Sequence, residues 1–435
     1  MKTGYHYIFL AILVGVLSGC RHMEEKWVDL GDYSQLDPRT CFIPFSSENK
    51  DLTEETINDC YLPGGVTFGE AMDEETSNGS TRTSSFSAIG YTKELLSWLD
   101  NNSSISYCGT YESVDKDGEP IRLSGRIILP KDGNVSRIMV VNHFTIGSYR
   151  ESPSKSFPIE GMFASRGLAV IVPDYLGFGV TSDKIHPYLN SYLTARNVVD
   201  MYFAALPFLE HLNIKPKNDD IFIYGYSQGG AVALAVQRYL ELLHPDVKIR
   251  LVIAGGGPYD IPANYDKMIE TDNTEYPCVI PMVIQGLADS NGLDIDYAEY
   301  FSPLMMQNLD EWINSKKYTV DEISAKAGSR KVSILLTEKA MNKVTDKMSE
   351  LYLAMYENSM TNDFYPKAPI YMFHSMEDDV VPFVNATIMS YYLSAQGANA
   401  EYNFGEYGIH RKACIRFIMT VLQLLKDKGD IDHRF

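Results

Sequence analysis

Five short apolar runs constrain this chain more tightly than any other feature. They are Ile138-Met139-Val140-Val141, Ala169-Val170-Ile171-Val172, Ile221-Phe222-Ile223-Tyr224, Leu251-Val252-Ile253-Ala254 and Ile370-Tyr371-Met372-Phe373, each ending at a turn. Apolar, largely β-branched runs without polar alternation belong to strands buried on both faces, the condition met in largely parallel sheets. Parallel neighbours need long crossovers, usually helical. Helix-length segments lie between the runs, such as Leu193 to Leu206, ending just before Pro207, and Gly230 to Leu243. The pattern predicts an α/β fold with a mostly parallel, doubly wound sheet. Ahead of it, Gly109 to Val114 and Ile121 to Leu129 flank the turn signal Asp115-Lys116-Asp117-Gly118 and predict a hairpin.

One interval is too long for a simple crossover. Residues 260–365 carry Met- and Tyr-rich helical segments, among them Glu338 to Asn358. They predict a mostly helical cap above the C-terminal edge of the sheet, where open α/β sheets bind ligands.

The sequence with the most chemistry is Gly225-Tyr226-Ser227-Gln228-Gly229. A G-x-S-x-G match alone is weak, but this one follows the strand Asp220 to Tyr224 and opens the helix beginning at Gly230. Such a strained strand-to-helix turn exposes the serine hydroxyl, and its glycines let the chain turn that tightly. A serine hydroxyl needs a base, and in this arrangement the order along the chain is serine, acid, histidine. Of the four histidines after Ser227, His244 lies at the far end of the helix, His374 on a strand and His433 at the chain end. His410 follows the strand-like Glu401-Tyr402-Asn403-Phe404 in a loop and is the candidate base. The acid must come from Glu377-Asp378-Asp379, just after a strand. Asp378 is the candidate and Asp379 its main rival. Oxyanion donors are expected from the backbone N–H of Gln228 and from Thr145, in the loop after Ile138 to Val141. Asp174, after another strand, reads as structural, and Phe178 as a candidate pocket wall.

The N-terminus specifies an address. Met1-Lys2 precedes the apolar run Tyr7 to Val16 and then Leu17-Ser18-Gly19-Cys20. A basic start, an apolar stretch too short to span a bilayer and a small-residue cleavage site describe a signal peptide. The last four residues resemble a bacterial lipobox, with Cys20 the expected site of lipidation. Arg21 and Glu24-Glu25 do not resemble an inner-membrane retention signal, so an exported lipoprotein at the outer membrane is expected. The expected domains are a signal peptide at 1–20, a tether and N-terminal extension at 21–88, and the main domain at 89–435 with its cap at about 260–365. Of six cysteines five remain after lipidation, and an oxidising compartment permits a disulfide, with Cys41 and Cys60 the candidate pair. The formal net charge of −19 argues against nucleic acid as a partner. Nothing in the cysteine or histidine spacing points to a metal.

From about Cys108 to Leu425 the sequence resembles the secretory lipases and related bacterial esterases, a branch of the α/β-hydrolase superfamily. The likeness rests on the loop through His143, Asp174-Tyr175-Leu176-Gly177-Phe178-Gly179, His186-Pro187-Tyr188-Leu189, Gly225 through Gly230, Asn358-Ser359, Asp378 through Pro382, and His410. In the family's H-G-x-x-D-x-x-V-P motif the aspartate aligns with Asp378. The resemblance implies a helical cap and hydrolysis of carboxylic esters, of small molecules or lipids, without metal or cofactor. The chain departs from it at His143-Phe144-Thr145, where the family has H-G-T, and at Ser375, where glycine is usual. The rival expectations are a serine peptidase of the same fold and a surface binding protein without catalysis.

Overall fold

The computed structural model describes residues 41–77 and 103–431. The signal-like segment with Cys20 lies outside them. Nine strands form one sheet: β1 (Ile43–Asp51), β2 (Ser103–Val114), β3 (Pro120–Pro130), β4 (Arg137–Asn142), β5 (Leu168–Pro173), β6 (Ile221–Tyr226), β7 (Ile249–Gly255), β8 (Ile370–Ser375) and β9 (Ala400–Gly405). Their spatial order is β1-β2-β3-β5-β4-β6-β7-β8-β9. From β5 to β9 every pairing is parallel, and β1 to β3 form an antiparallel edge. The five apolar runs are β4 to β8, and the hairpin closes with Val114 opposite Pro120. This is the mixed, mostly parallel sheet of an α/β fold.

Helices α1 (Glu54–Asn58) and α2 (Phe68–Ser77) precede the main sheet, and α3 (Ser191–His211) and α4 (Gln228–Leu243) follow in the crossovers. Between β7 and β8 come α5 (Ile261–Thr271), α6 (Val279–Ser290), α7 (Tyr297–Tyr300), α8 (Pro303–Leu309), α9 (Val320–Ala327), α10 (Glu338–Met341) and α11 (Met348–Glu357). The chain closes with α12 (Val384–Ala395) and α13 (His410–Asp427). Helices α3 and α4 bury one face of the sheet, while α13 and the 3-10 turn Ile159–Arg166 bury the other. The helices between β7 and β8 enclose a third core of their own, which Tyr188, Leu189, Val380 and Val381 join from the main body. Among the described residues no helix is long and apolar enough to cross a membrane.

Local sequence signals and structure part at four places. Helix α3 does not stop before Pro207 but continues to His211. Its last turn buries Phe208 and Leu209, and Phe208 packs at 5.2 Å against the rings of both Phe42 and Tyr107, a gain that outweighs one lost helical hydrogen bond. The stretch Glu338 to Asn358 is two helices, broken where Lys343 and Lys347 take φ of +59° and +56°. There the Tyr300 hydroxyl donates to the Asp346 carbonyl at 2.6 Å, anchoring the break to the helical core. The polar N-terminal segment hides an edge strand, because β1 is exposed along almost its whole length and is held by its ladder to β2 rather than by apolar burial. Just beyond it Leu52, Ile57, Cys60, Leu62 and Phe68 enter the core. Lastly, the expected Cys41–Cys60 disulfide is not formed: Cys60 is a buried thiol that donates to the Thr56 carbonyl at 3.2 Å, its sulfur committed to the last turn of the preceding helix α1.

The core under β4 to β6 also holds a carboxyl group. Glu160 is 2% exposed, and its Oε1 has no hydrogen-bond partner. Burial pushes its pKa from the ordinary 4.5 to about 7. The folded state therefore binds this proton more tightly than the unfolded chain, so its stabilising contribution is full below 4.5 and is lost as pH rises through 7. The span from 4.5 to about 7 corresponds to about 3 kcal/mol. Glu160→Gln is expected to be more stable than wild type at pH 8 by up to that amount, with the gap closing by pH 4. Urea denaturation at the two pH values reads it, and an equal gap at both would refute the cause given.

Candidate active site

Strand β6 ends at Tyr226 and α4 begins at Gln228, leaving Ser227 alone to reverse the chain at φ +58°, ψ −125°. Non-glycine residues seldom occupy that region, and its strain persists only where the surroundings impose it. Here they do. The Ser227 N–H donates to the Gly255 carbonyl at 2.8 Å, and the Gly230 N–H returns to the Ser227 carbonyl at 2.9 Å. A Cβ on Gly225 would lie 2.0 Å from the Gly229 carbonyl oxygen, and one on Gly229 would lie 1.9 Å from that of Asn142. Strand and helix can approach this closely only as glycines.

His410 caps the other side, at the start of α13 and 1% exposed. Its Nε2 lies 2.8 Å from Ser227 Oγ, and its Nδ1 lies 2.7 Å from Asp378 Oδ2. With Nδ1–H donating to the carboxylate, Nε2 presents its lone pair to the serine hydroxyl. The structure thus brings together the three residues singled out from 183 positions of chain. The Asp378 side chain is fully buried and also accepts the N–H groups of Val380 at 3.0 Å and Val381 at 2.7 Å. Burial raises its pKa, but the adjoining imidazole of His410 and these hydrogen bonds outweigh it and hold the carboxyl below its ordinary value.

The two rival carboxylates have other partners. Asp379 Oδ1 accepts the backbone N–H of His410 at 3.2 Å, and its Oδ2 accepts from Arg330 at 3.1 Å. Glu377 is exposed and accepts the Gly408 N–H at 2.8 Å. Both steady the histidine loop through its backbone rather than its ring.

Ser375, the departure from glycine, adds to this. Its hydroxyl donates to the Gly408 carbonyl at 2.6 Å and accepts from the N–H groups of Glu377 and Tyr407 at 3.2 Å, tying the aspartate loop to the histidine loop. His374 is buried and kept neutral by that burial. Its Nε2 is 2.9 Å from the Val381 carbonyl and 3.5 Å from Asp378 Oδ2, bracing the turn that carries Asp378.

Thr145 lines the same cavity as Ser227 and His410. Its hydroxyl is 2.7 Å from the Tyr188 hydroxyl. Phe144 does not have a positive φ and tucks into a cluster with Ile146 and Phe178, so the loop does not need the family's glycine there. Phe178 therefore packs behind this loop instead of lining the cavity, contrary to expectation. Asp174 is fully buried and accepts from Ser124 Oγ at 2.6 Å and the Ser154 N–H at 2.7 Å.

Gln228 is held from an unexpected direction. Burial pushes the His186 pKa down to about 3, so the ring is neutral. Its Nδ1–H donates to the Leu176 carbonyl at 2.7 Å, leaving Nε2 to accept from Gln228 Nε2 at 2.8 Å. The residue after Ser227 is thereby locked in place. The sequence carried His186 and Tyr188 only within a matching stretch. Nothing in their spacing says that they meet Gln228 and Thr145, since those contacts join segments 42 and 43 residues apart.

A serine presented on a strained strand-to-helix turn above a mostly parallel sheet defines the α/β-hydrolase fold. The comparison of the chain with family models narrows this. Residues 159–413, more than half of the chain, match the secretory lipase family, and the chain belongs to that family. Among characterised relatives it is 24% identical over 245 residues to the secreted triacylglycerol lipase LIP5 of Malassezia furfur. That match spans 54% of this chain and 59% of the relative, less than two thirds of its length. Among solved structures it resembles the rice cell wall degrading esterase LipA from Xanthomonas oryzae, with a TM-score of 0.67 and 18% identity over 78% of this chain and 94% of that one. Candida antarctica lipase A in its closed state gives a TM-score of 0.58 at 14% identity, covering 93% of this chain and 88% of that one. At these identities the solved structures speak for the fold alone. Membership of a secretory family agrees with export.

Proposed function

We propose that this protein is an exported serine hydrolase that cleaves carboxylic esters through an acyl-enzyme. The observation that carries the reading is His410, whose two ring nitrogens lie 2.8 Å from Ser227 Oγ and 2.7 Å from Asp378 Oδ2. Ser227 Oγ attacks the ester carbonyl carbon as its proton passes to His410 Nε2, and Asp378 stabilises the imidazolium that forms. The backbone N–H groups of Gln228 and Thr145 hold the oxyanion. His410 then protonates the departing alcohol, leaving an acyl group on Ser227. A water enters, gives a proton to His410 and attacks the acyl carbon. Collapse of that second intermediate releases the acid and restores the serine hydroxyl.

The experiment is hydrolysis of p-nitrophenyl esters from acetate to palmitate, with aminoacyl-p-nitroanilides in parallel and a fluorophosphonate probe to mark the nucleophile. Ester turnover with the probe on Ser227 is the expected result. Turnover of anilides alone would replace the reading with a serine peptidase. No turnover and no label would replace it with a binding protein.

The proposed organisation is a signal peptide at 1–20, an extension at 21–88 and a hydrolase domain at 89–435 whose cap spans about 260–365. Cys20 is proposed to carry the lipid that anchors the chain to the outer membrane. Cys20→Ser is then expected to move the protein from the membrane fraction to the soluble fraction. Wild-type protein found soluble, or acyl label absent from Cys20, would remove the anchor.

A further inference from the structure

The cavity over Ser227 is narrow, with about 20 Å³ of free space, room for little more than one water molecule. Its lining is largely apolar, with Val279, Val283, Val320 and Val381 prominent, and also includes Tyr188, Tyr276 and Asn264. One wall comes from neither the sheet nor the cap. Pro63 and Gly64, in the N-terminal extension and outside the residues matched to the family, line the cavity with Ser227 and His410.

That wall is a tight turn. The Gly65 N–H donates to the Leu62 carbonyl, and the Leu62 N–H to the Val66 carbonyl, both at 2.9 Å. The turn is pinned by side chains that otherwise belong to the site's two halves. Arg411, the residue after His410, donates to the Pro63 carbonyl at 3.1 Å, to the Tyr276 hydroxyl at 3.0 Å and to Asp321 at 2.9 Å. The Asp321 N–H, in α9, donates to the Gly64 carbonyl at 2.9 Å. Gly64 and Gly65 have φ of +96° and +84°, and a Cβ on Gly64 would lie 2.3 Å from the Tyr276 hydroxyl. Tyr61, at the foot of the turn, packs on the Phe144 cluster behind the loop that bears Thr145.

We propose that the Leu62–Val66 turn determines substrate specificity, setting an upper limit on the acyl chain and confining the enzyme to short-chain esters. The proposal rests on the ester-hydrolase reading above. With the turn seated, the tight cavity favours the shortest acyl chains, and longer ones collide with Pro63 and Gly64. Displacing the turn opens the same largely apolar surface to them.

The test compares kcat/KM on p-nitrophenyl acetate, butyrate and octanoate for wild type, Gly64→Ala and Arg411→Gln. Gly64→Ala crowds the turn against the Tyr276 hydroxyl, and Arg411→Gln removes the hydrogen bond to the Pro63 carbonyl without changing a residue of the turn. Fluorophosphonate labelling of Ser227 reports whether each variant has assembled its site. Wild type is expected to favour butyrate over octanoate by about tenfold or more, the discrimination an apolar pocket achieves against a misfitting chain. At least one labelled variant is expected to cut that ratio about fivefold, through a higher kcat/KM on octanoate. The proposal is overturned if wild type hydrolyses octanoate as well as butyrate, or if both variants label normally and keep the wild-type ratio. Absence of label and ester turnover in wild type itself would instead overturn the hydrolase reading on which it stands.

Discussion

Ser227→Ala is expected to lower kcat on p-nitrophenyl esters by about 10⁶-fold, the loss typical when the nucleophile of a serine triad is removed. Without Oγ no acyl-enzyme forms, and the surviving rate is that of water attacking an ester held against the oxyanion donors. The loss is expected in kcat rather than KM, because the serine hydroxyl contributes little to holding the unreacted ester. The fold is expected to survive: Ser227 uses only its backbone to hold the turn, through Gly255 and Gly230. Alanine keeps a Cβ at φ +58°, so it neither adds to nor relieves the strain. A melting temperature close to wild type with turnover lost is the predicted pair. A variant keeping more than about a hundredth of wild-type kcat would show that Ser227 is not the nucleophile.

Asp378→Asn is expected to cost about 10⁴-fold in kcat. The amide that replaces the carboxylate offers an N–H to His410 Nδ1 across the 2.7 Å contact now made by Oδ2. Accepting it forces the ring proton onto Nε2, where it faces Ser227 Oγ and blocks the base. Asp379→Asn is the built-in comparison. Asp379 meets the His410 backbone N–H and Arg330 rather than the ring, so its loss is expected to stay under about tenfold. If Asp379→Asn proved the more damaging, the acid would have to be reassigned. Acidity offers a further test of Asp378. The native state holds Asp378 below its ordinary 3.8, so the carboxylate stabilises the fold above that pH and loses its effect as pH falls through the lower folded value. Wild type is therefore expected to lose stability below about pH 4 more steeply than Asp378→Asn.

Much of this was legible in the chain. Strands β4 to β8 are continuous apolar runs because both faces of the sheet are covered, and that demand writes itself directly into local sequence. The turn at Ser227 was legible for a related reason: its glycines are required by backbone contacts a few residues away, so spacing and conformation coincide. Asp378 was separable from Asp379 and Glu377 only through the family motif. Physically the three are adjacent acids in a loop, and only their partners differ. Strand β1 and the two short helices after it escaped notice, because an exposed edge strand needs hydrogen bonds to β2 and little apolar patterning. The end of α3 was misjudged for the opposite cause. Pro207 is a local stop signal, and the burial of Phe208 against Phe42 and Tyr107 overrules it from a distance.

By itself, then, the sequence determined the α/β layering, the strand-to-helix turn that presents Ser227, and the small set of residues to which Asp378 and His410 belong. Each of these depends on the periodicity of burial or on backbone geometry within a few residues. Only the tertiary structure decided that His186 holds Gln228, that His374 and Ser375 brace Asp378, and that Pro63 and Gly64 wall the cavity under Arg411. The contact of His186 with Gln228 and that of Arg411 with Pro63 join segments 42 and 348 residues apart. Their distances and burial depend on how the layers close over one another, and no local pattern of residues encodes that.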